Sequence, residues 1–81
     1  MIKILFFGRL SDLAKPMSCE LPQAVKTAAD LQLWLEKENA PLRPALSVKG
    51  NRISVNHIFV EKDALIKDGD EIAFMSPLSG G

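Results

Sequence analysis

One stretch of the 81-residue chain carries a full amphipathic helix pattern, and no second stretch of that length does. Thr27 offers a capping hydroxyl, and Asp30 places a carboxylate in the first turn, close to a capping box. Ala28, Leu31, Trp34 and Leu35 recur at helical spacing and form an apolar stripe, whereas Lys26, Gln32, Glu36 and Lys37 fall elsewhere. Trp34, lying on that stripe, reads as core and not as a ligand contact. Asn39 and Pro41 close the segment. One helix can cover only one face of one sheet. Any sheet this chain builds must therefore leave its other face to something else.

The strand-like runs lie on both sides of that helix. Residues 2–8 are rich in Ile and Phe and close at Gly8, with Ile2, Ile4 and Phe6 on one face and Lys3, Leu5 and Phe7 on the other. Arg9 to Lys15, with Leu10, Leu13 and Ala14 at helical spacing, reads as one or two helical turns ending before Pro16. Met17, Cys19 and Leu21 alternate with polar residues and predict an edge strand antiparallel to the first. Pro44 makes Leu42 to Val48 a poor strand, and a short helical turn fits as well. Lys49-Gly50-Asn51 is a turn. Ile53 and Val55, then Ile58 to Val60, are short strands interrupted at Asn56-His57. Leu65 and Ile66 lie in a connection, and Asp68-Gly69-Asp70 reads as a tight hairpin turn. Glu71 to Met75 is the last strand, with Ile72 and Phe74 on one face and Ala73 and Met75 on the other.

The order predicts an α+β fold of the β-grasp, ubiquitin-like type: a mixed sheet of four or five strands with one main helix on one face. The first and last strands, the most apolar pair, would lie side by side in its middle. If Ile2, Ile4, Phe6, Ile72 and Phe74 face the helix, then Leu5, Phe7, Ala73 and Met75 face away, with Phe59 beside them. An apolar face without a cover marks a partner interface; loops folded over it would be the structural alternative.

Size and charge narrow the rest. Eighty-one residues make one domain, and the boundaries read as a folded unit over residues 1–76 with a flexible Gly-Gly tail over 77–81. The 47% hydrophobic content argues against disorder. Ten Lys and Arg balance ten Asp and Glu, so neither nucleic acid nor an anionic membrane is an expected partner. No apolar run is long enough to span a bilayer. The opening residues lack a basic leader and a cleavage site, and a lone Cys19 fits a reducing, cytoplasmic setting.

Catalytic machinery is thin. His57 has no companion at metal-ligand spacing, so no metal site is expected. Cys19 has nothing beside it to stabilise a thiolate. Asp68-Gly69-Asp70-Glu71 resembles a calcium loop only superficially. What remains is the closing Ser76-Pro77-Leu78-Ser79-Gly80-Gly81. A terminal Gly-Gly arises by chance in about one chain in 200, and a frayed end is the plain reading. Yet glycine is the thinnest thread a chain can offer, and Pro77 has no N–H to extend a ladder. The extended reach from Pro77 to Gly81 is roughly 16–18 Å, enough to enter a partner's cavity. Ordering it costs about 1–2 kcal/mol per residue, which an apolar docking face upstream could offset.

The whole chain resembles the small subunit of molybdopterin synthase, the MoaD-type ubiquitin-like sulfur carriers. The resemblance lies in Ile2-Lys3-Ile4-Leu5-Phe6-Phe7-Gly8, Asp12-Leu13, Val55-Asn56, Leu65, Asp68-Gly69-Asp70-Glu71-Ile72-Ala73-Phe74 and Ser76 to Gly81. Met75-Ser76 departs from the aromatic and proline common in such chains. The resemblance implies that the Gly81 carboxylate is adenylated by an E1-like enzyme, which uses ATP, and is then converted to a thiocarboxylate. Pro77, Leu78, Ser79 and Gly80 would thread into the large synthase subunit, and sulfur would pass to cyclic pyranopterin monophosphate. Two carriers would flank a dimer of large subunits. The carrier would bind no cofactor itself and have no activity alone.

Three alternatives share part of this pattern. A thiazole-synthesis sulfur carrier has the same fold and end, but Pro77 and the insert Arg9 to Lys15 favour the molybdopterin branch. A ubiquitin-like modifier would share adenylation and differ in product. A structural binding module would make the Gly-Gly incidental.

Overall fold

The computed structural model describes residues 1–77. Its elements are β1 (Ile2–Phe7), a 3-10 turn (Gly8–Asp12), β2 (Met17–Cys19), α1 (Ala28–Glu38), α2 (Leu42–Leu46), β3 (Arg52–Val55), β4 (Ile58–Val60) and β5 (Glu71–Met75). Among the described residues the strands form one five-stranded sheet in the order β2-β1-β5-β3-β4. β1 and β5 pair in parallel, Ile4 opposite Ile72 and Phe6 opposite Phe74. Every other pairing is antiparallel. This is the β-grasp arrangement that one helix and two apolar inner strands impose.

Packing follows from the two periodicities. Ile2, Ile4 and Phe6 of β1, Ile72 and Phe74 of β5, and Ile53 of β3 are buried in one cluster with Ala28, Leu31 and Leu35 of α1. The Phe6 and Phe74 rings stack with centroids 6.1 Å apart. Leu10 from the 3-10 turn, Leu42 and Leu46 from α2, and Val25 and Ile66 from the connections complete the cluster. Pro44 is tolerated in α2 because it sits in the first turn, where its missing N–H has no partner to lose. Leu13 is exposed although it shares the spacing of Leu10, because the five-residue 3-10 turn ends before it.

The α1 capping box is complete: the Asp30 N–H donates to Thr27 Oγ1 (3.2 Å) and the Thr27 N–H donates to Asp30 Oδ2 (3.1 Å). Hydrogen bonds from the Lys26 N–H, then from Thr27, hold the Asp30 carboxyl below its ordinary pKa. Two helix positions depart from the periodicity. Trp34 is only half-buried, packed against the edge of the core. Glu36, which the spacing leaves off the stripe, is 9% exposed. The reason is α2: Gln32 Nε2 donates both to Glu36 Oε2 (3.0 Å) and to the Leu46 carbonyl (3.1 Å), so a polar seam joins the two helices.

The Asp68-Gly69-Asp70 turn is not a hairpin, because β5 pairs with β1 and β3 and not with the segment before the turn. Asp70 is instead a buried node. Its Oδ2 accepts the Lys67 N–H (2.9 Å) and its Oδ1 accepts Asn56 Nδ2 (3.0 Å). Asn56, at φ 52, also bonds Glu71 through its backbone N–H (2.8 Å) and its Oδ1 (2.9 Å). It thereby turns β3 into β4 while prolonging the β3–β5 ladder. Among the described residues no helix is long and apolar enough to cross a membrane.

Candidate functional site

The face of the sheet turned away from α1 carries the alternate residues of each strand. Register aligns them in rows. Leu5, Ala73, Ser54 and Phe59 lie across one row, and Phe7, Met75 and Arg52 across the next. Four of the five predicted interface residues present surface: Phe7 is 49% and Phe59 54% exposed, while Leu5 and Met75 are partly so. Ala73 sits at the centre of the face but is only 6% exposed. A methyl group on the central strand is shielded by its longer neighbours, so Ala73 contributes flatness more than contact area. Ser54 beside it is buried for the same reason.

Arg52 is the residue the sequence reading passed over. Its guanidinium carbon lies 3.8 Å from the Phe59 ring centroid, a cation–π contact that covers part of the ring. The signal was available: with Ile53 facing the core, Arg52 must face the opposite way. Phe7, Arg52, Phe59, Met75, Ser76 and Pro77 line a groove of about 390 Å³. Ser76 and Pro77 also line a second hollow of about 820 Å³, on the side of Leu13, Pro41, Pro44 and Val48. The last described residues of the chain thus stand where two hollows meet.

The strand end is held there by specific bonds. Ser76 Oγ accepts the Arg9 N–H (2.8 Å), and the Ser76 N–H donates to the Phe7 carbonyl (3.3 Å). Pro77 then ends the ladder. Leu78, Ser79, Gly80 and Gly81, the predicted thread and reacting terminus, lie outside the described residues.

The other candidate groups are dispersed. His57 Nε2 stands 3.4 Å from Glu71 Oε2. Burial pushes the Cys19 thiol above its ordinary pKa, which leaves it a poor nucleophile. Burial raises the Asp70 carboxyl, but the Lys67 N–H, the Asn56 amide and the Lys67 ammonium outweigh it and hold the group below its ordinary pKa. That makes Asp70 a structural anion and not a proton donor. Among the described residues, no group of three His, Cys, Asp or Glu could hold a metal ion.

With this geometry in view, the relatives are informative. The model of the ThiS family matches residues 4–81. The molybdopterin synthase sulfur carrier subunit of Escherichia coli (strain K12) is 31% identical over 83 residues, covering 100% of both chains. Among solved structures, SAMP1 from Haloferax volcanii superposes with a TM-score of 0.82 at 17% identity, covering 99% of this chain and 98% of that one. A chain of the complex of subunits 1 and 2 of molybdopterin-converting factor from Helicobacter pylori 26695 gives 0.71 at 23% identity, covering 99% and 97%. At those identities the two structures carry the fold alone. The match along the whole length to the sequence family and to the Escherichia coli subunit carries more: this chain belongs to the ThiS family, as a relative of the molybdopterin synthase sulfur carrier subunits.

Proposed function

We propose that this chain is the sulfur-carrying small subunit of molybdopterin synthase and that the Gly81 carboxyl is its working group. One observation carries the reading. The apolar row ending in Phe7 and Met75 runs directly into Ser76-Pro77, so a docking surface and the start of the thread adjoin at one end of β5. A partner seated on Phe7, Phe59 and Met75 would receive whatever follows Pro77. The resemblance to the Escherichia coli subunit supports the sulfur role. The Helicobacter pylori complex supports a large-subunit partner for a chain of this fold.

The chemistry explains why so little of it lies on this chain. A carboxylate is a poor acylating group. Attack of a Gly81 carboxylate oxygen on the α-phosphorus of ATP, in the site of an E1-like enzyme, expels pyrophosphate and gives an acyl-adenylate whose AMP can leave. The terminal sulfur of a persulfide donor displaces AMP to give an acyl disulfide. A second thiol on the donor or the activating enzyme then cleaves its S–S bond, releasing the thiocarboxylate and leaving a disulfide behind. Its sulfur is a better nucleophile than the oxygen it replaces, and within the large subunit it attacks cyclic pyranopterin monophosphate. The remaining catalytic groups reside on the partners, so the carrier is inert alone. Two carriers on a dimer of large subunits is the assembly this reading implies.

Deleting Gly81 tests it. The shortened chain should fold and bind the large subunit but yield no molybdopterin from the precursor. Product formation by the shortened chain would overturn the proposal.

A further inference from the structure

Two glycines flank the point where the chain leaves the sheet, and both have backbone conformations that L side chains avoid: Gly8 at φ +70 and Gly50 at φ +97. Each stands against one of the exit residues. A Cβ on Gly8 would lie 2.0 Å from Ser76 Oγ, the hydroxyl that accepts the Arg9 N–H. A Cβ on Gly50 would lie 3.2 Å from Pro77 Cγ. Gly69 provides the contrast. Its φ is +92, almost that of Gly50, but nothing lies within 4 Å of an added Cβ. At Gly69 only the turn needs glycine; at Gly8 and Gly50 the neighbouring exit residue needs the space as well.

We propose that Gly8 and Gly50 form a collar of positioning residues that seats Ser76 and Pro77 and so fixes the direction in which the chain leaves β5. The direction matters because Ser76 and Pro77 border two hollows, one beside Phe7, Phe59 and Met75 and one beside Leu13, Pro41 and Pro44. A shift of Pro77 toward the second hollow would point the thread away from a partner docked on the open face. Ser76 is the hinge pin of the collar: its backbone extends the bond to Phe7 and its hydroxyl is gripped by the turn at Gly8–Arg9. The consequence for sulfur loading rests on the carrier reading above, whereas the collar itself is a matter of geometry.

The test compares Gly50→Ala with Gly69→Ala in the full chain, at a temperature where both are folded. Loading of the terminus by the E1-like enzyme, ATP and a sulfur donor is followed as a function of carrier concentration. Because the side chains of Phe7, Phe59 and Met75 are unchanged while the thread is misaimed, Gly50→Ala should lower kcat by about tenfold or more and change KM far less, with Gly69→Ala near wild type in both. An equal effect in the two variants would overturn the collar, since it would reduce to backbone strain. Gly8→Ala and Ser76→Ala supply a second arm. Once the hydroxyl is gone, the added methyl meets residue 76 at its Cβ, 3.4 Å away, and its backbone nitrogen, 3.6 Å away. The double variant should therefore be milder than the sum of the two single changes, and strict additivity would contradict the contact. Proton–proton NOEs between Gly50 and Pro77, present in wild type and displaced in Gly50→Ala, read the collar without any enzyme. Wild-type chain that shows the NOEs but is never loaded would refute the carrier role and leave the collar standing; wild-type chain without them would refute the collar.

Discussion

The two faces of the sheet are built from the same five strands, and alternate residues of one strand meet opposite fates. Ile4, Phe6, Ile72 and Phe74 lie under α1 and are buried, whereas Phe7 and Phe59, as large and as apolar, stand open to solvent on the other side. Hydrophobicity does not distinguish the faces; cover does. A chain with one long amphipathic helix can satisfy one face, and what it leaves bare is the surface we propose for a partner. The contrast also extends to the ends of the two faces. The covered face is closed by Leu10, Leu42 and Leu46, while the open face ends at Ser76 and Pro77.

The largest effect should come from the covered face. Leu31→Ala removes a fully buried side chain from the centre of the cluster and should cost about 2–5 kcal/mol in a denaturant melt. A loss well below that range would mean the helix is not the lid described here. On the open face the outcome should invert. Phe7→Asp should leave the melting midpoint nearly unchanged and weaken binding to the large subunit by about 2 kcal/mol or more, measured by calorimetry. The same holds for Met75→Asp. Unfolding of both would make the open face core and break the comparison.

Asp70 belongs to the scaffold side. Its carboxyl lies below the ordinary 3.8, so its stabilising share is fully present above that pH and fades as pH falls through the lower folded value. Asp70→Ala strands the Lys67 N–H and the Asn56 amide and should cost about 1–3 kcal/mol at neutral pH. That difference should narrow in acid melts. The smallest effect should be Arg52→Gln: loss of the contact over Phe59 is worth about 0.5–1 kcal/mol at an exposed site. It sharpens the comparison because it should alter partner affinity more than stability.

Much of this was legible in the residues. Thr27 with Asp30 marks the start of α1, and strand parity alone separates Phe7 from Phe6. The placement of β1 beside β5 in the middle of the sheet followed from their being the most apolar runs, whereas their parallel direction did not. What escaped was tertiary in origin. Glu36 is buried only because α2 returns across it, Ala73 is hidden only because taller neighbours flank it, and Asp70 is a node only because Asn56 arrives from the β3–β4 turn. The candidate site was legible in outline through Pro77 and Phe7. The roles of Gly8 and Gly50 were not, since a glycine in sequence says that a turn needs it and not that a distant proline does.

The most direct measurement is the intact mass of the full chain after incubation with the E1-like enzyme, ATP and a sulfur donor. The account predicts a gain equal to one oxygen exchanged for one sulfur, located at Gly81 by fragmentation and absent when ATP is withheld. An unchanged mass, with an enzyme proven competent on another carrier, would contradict it.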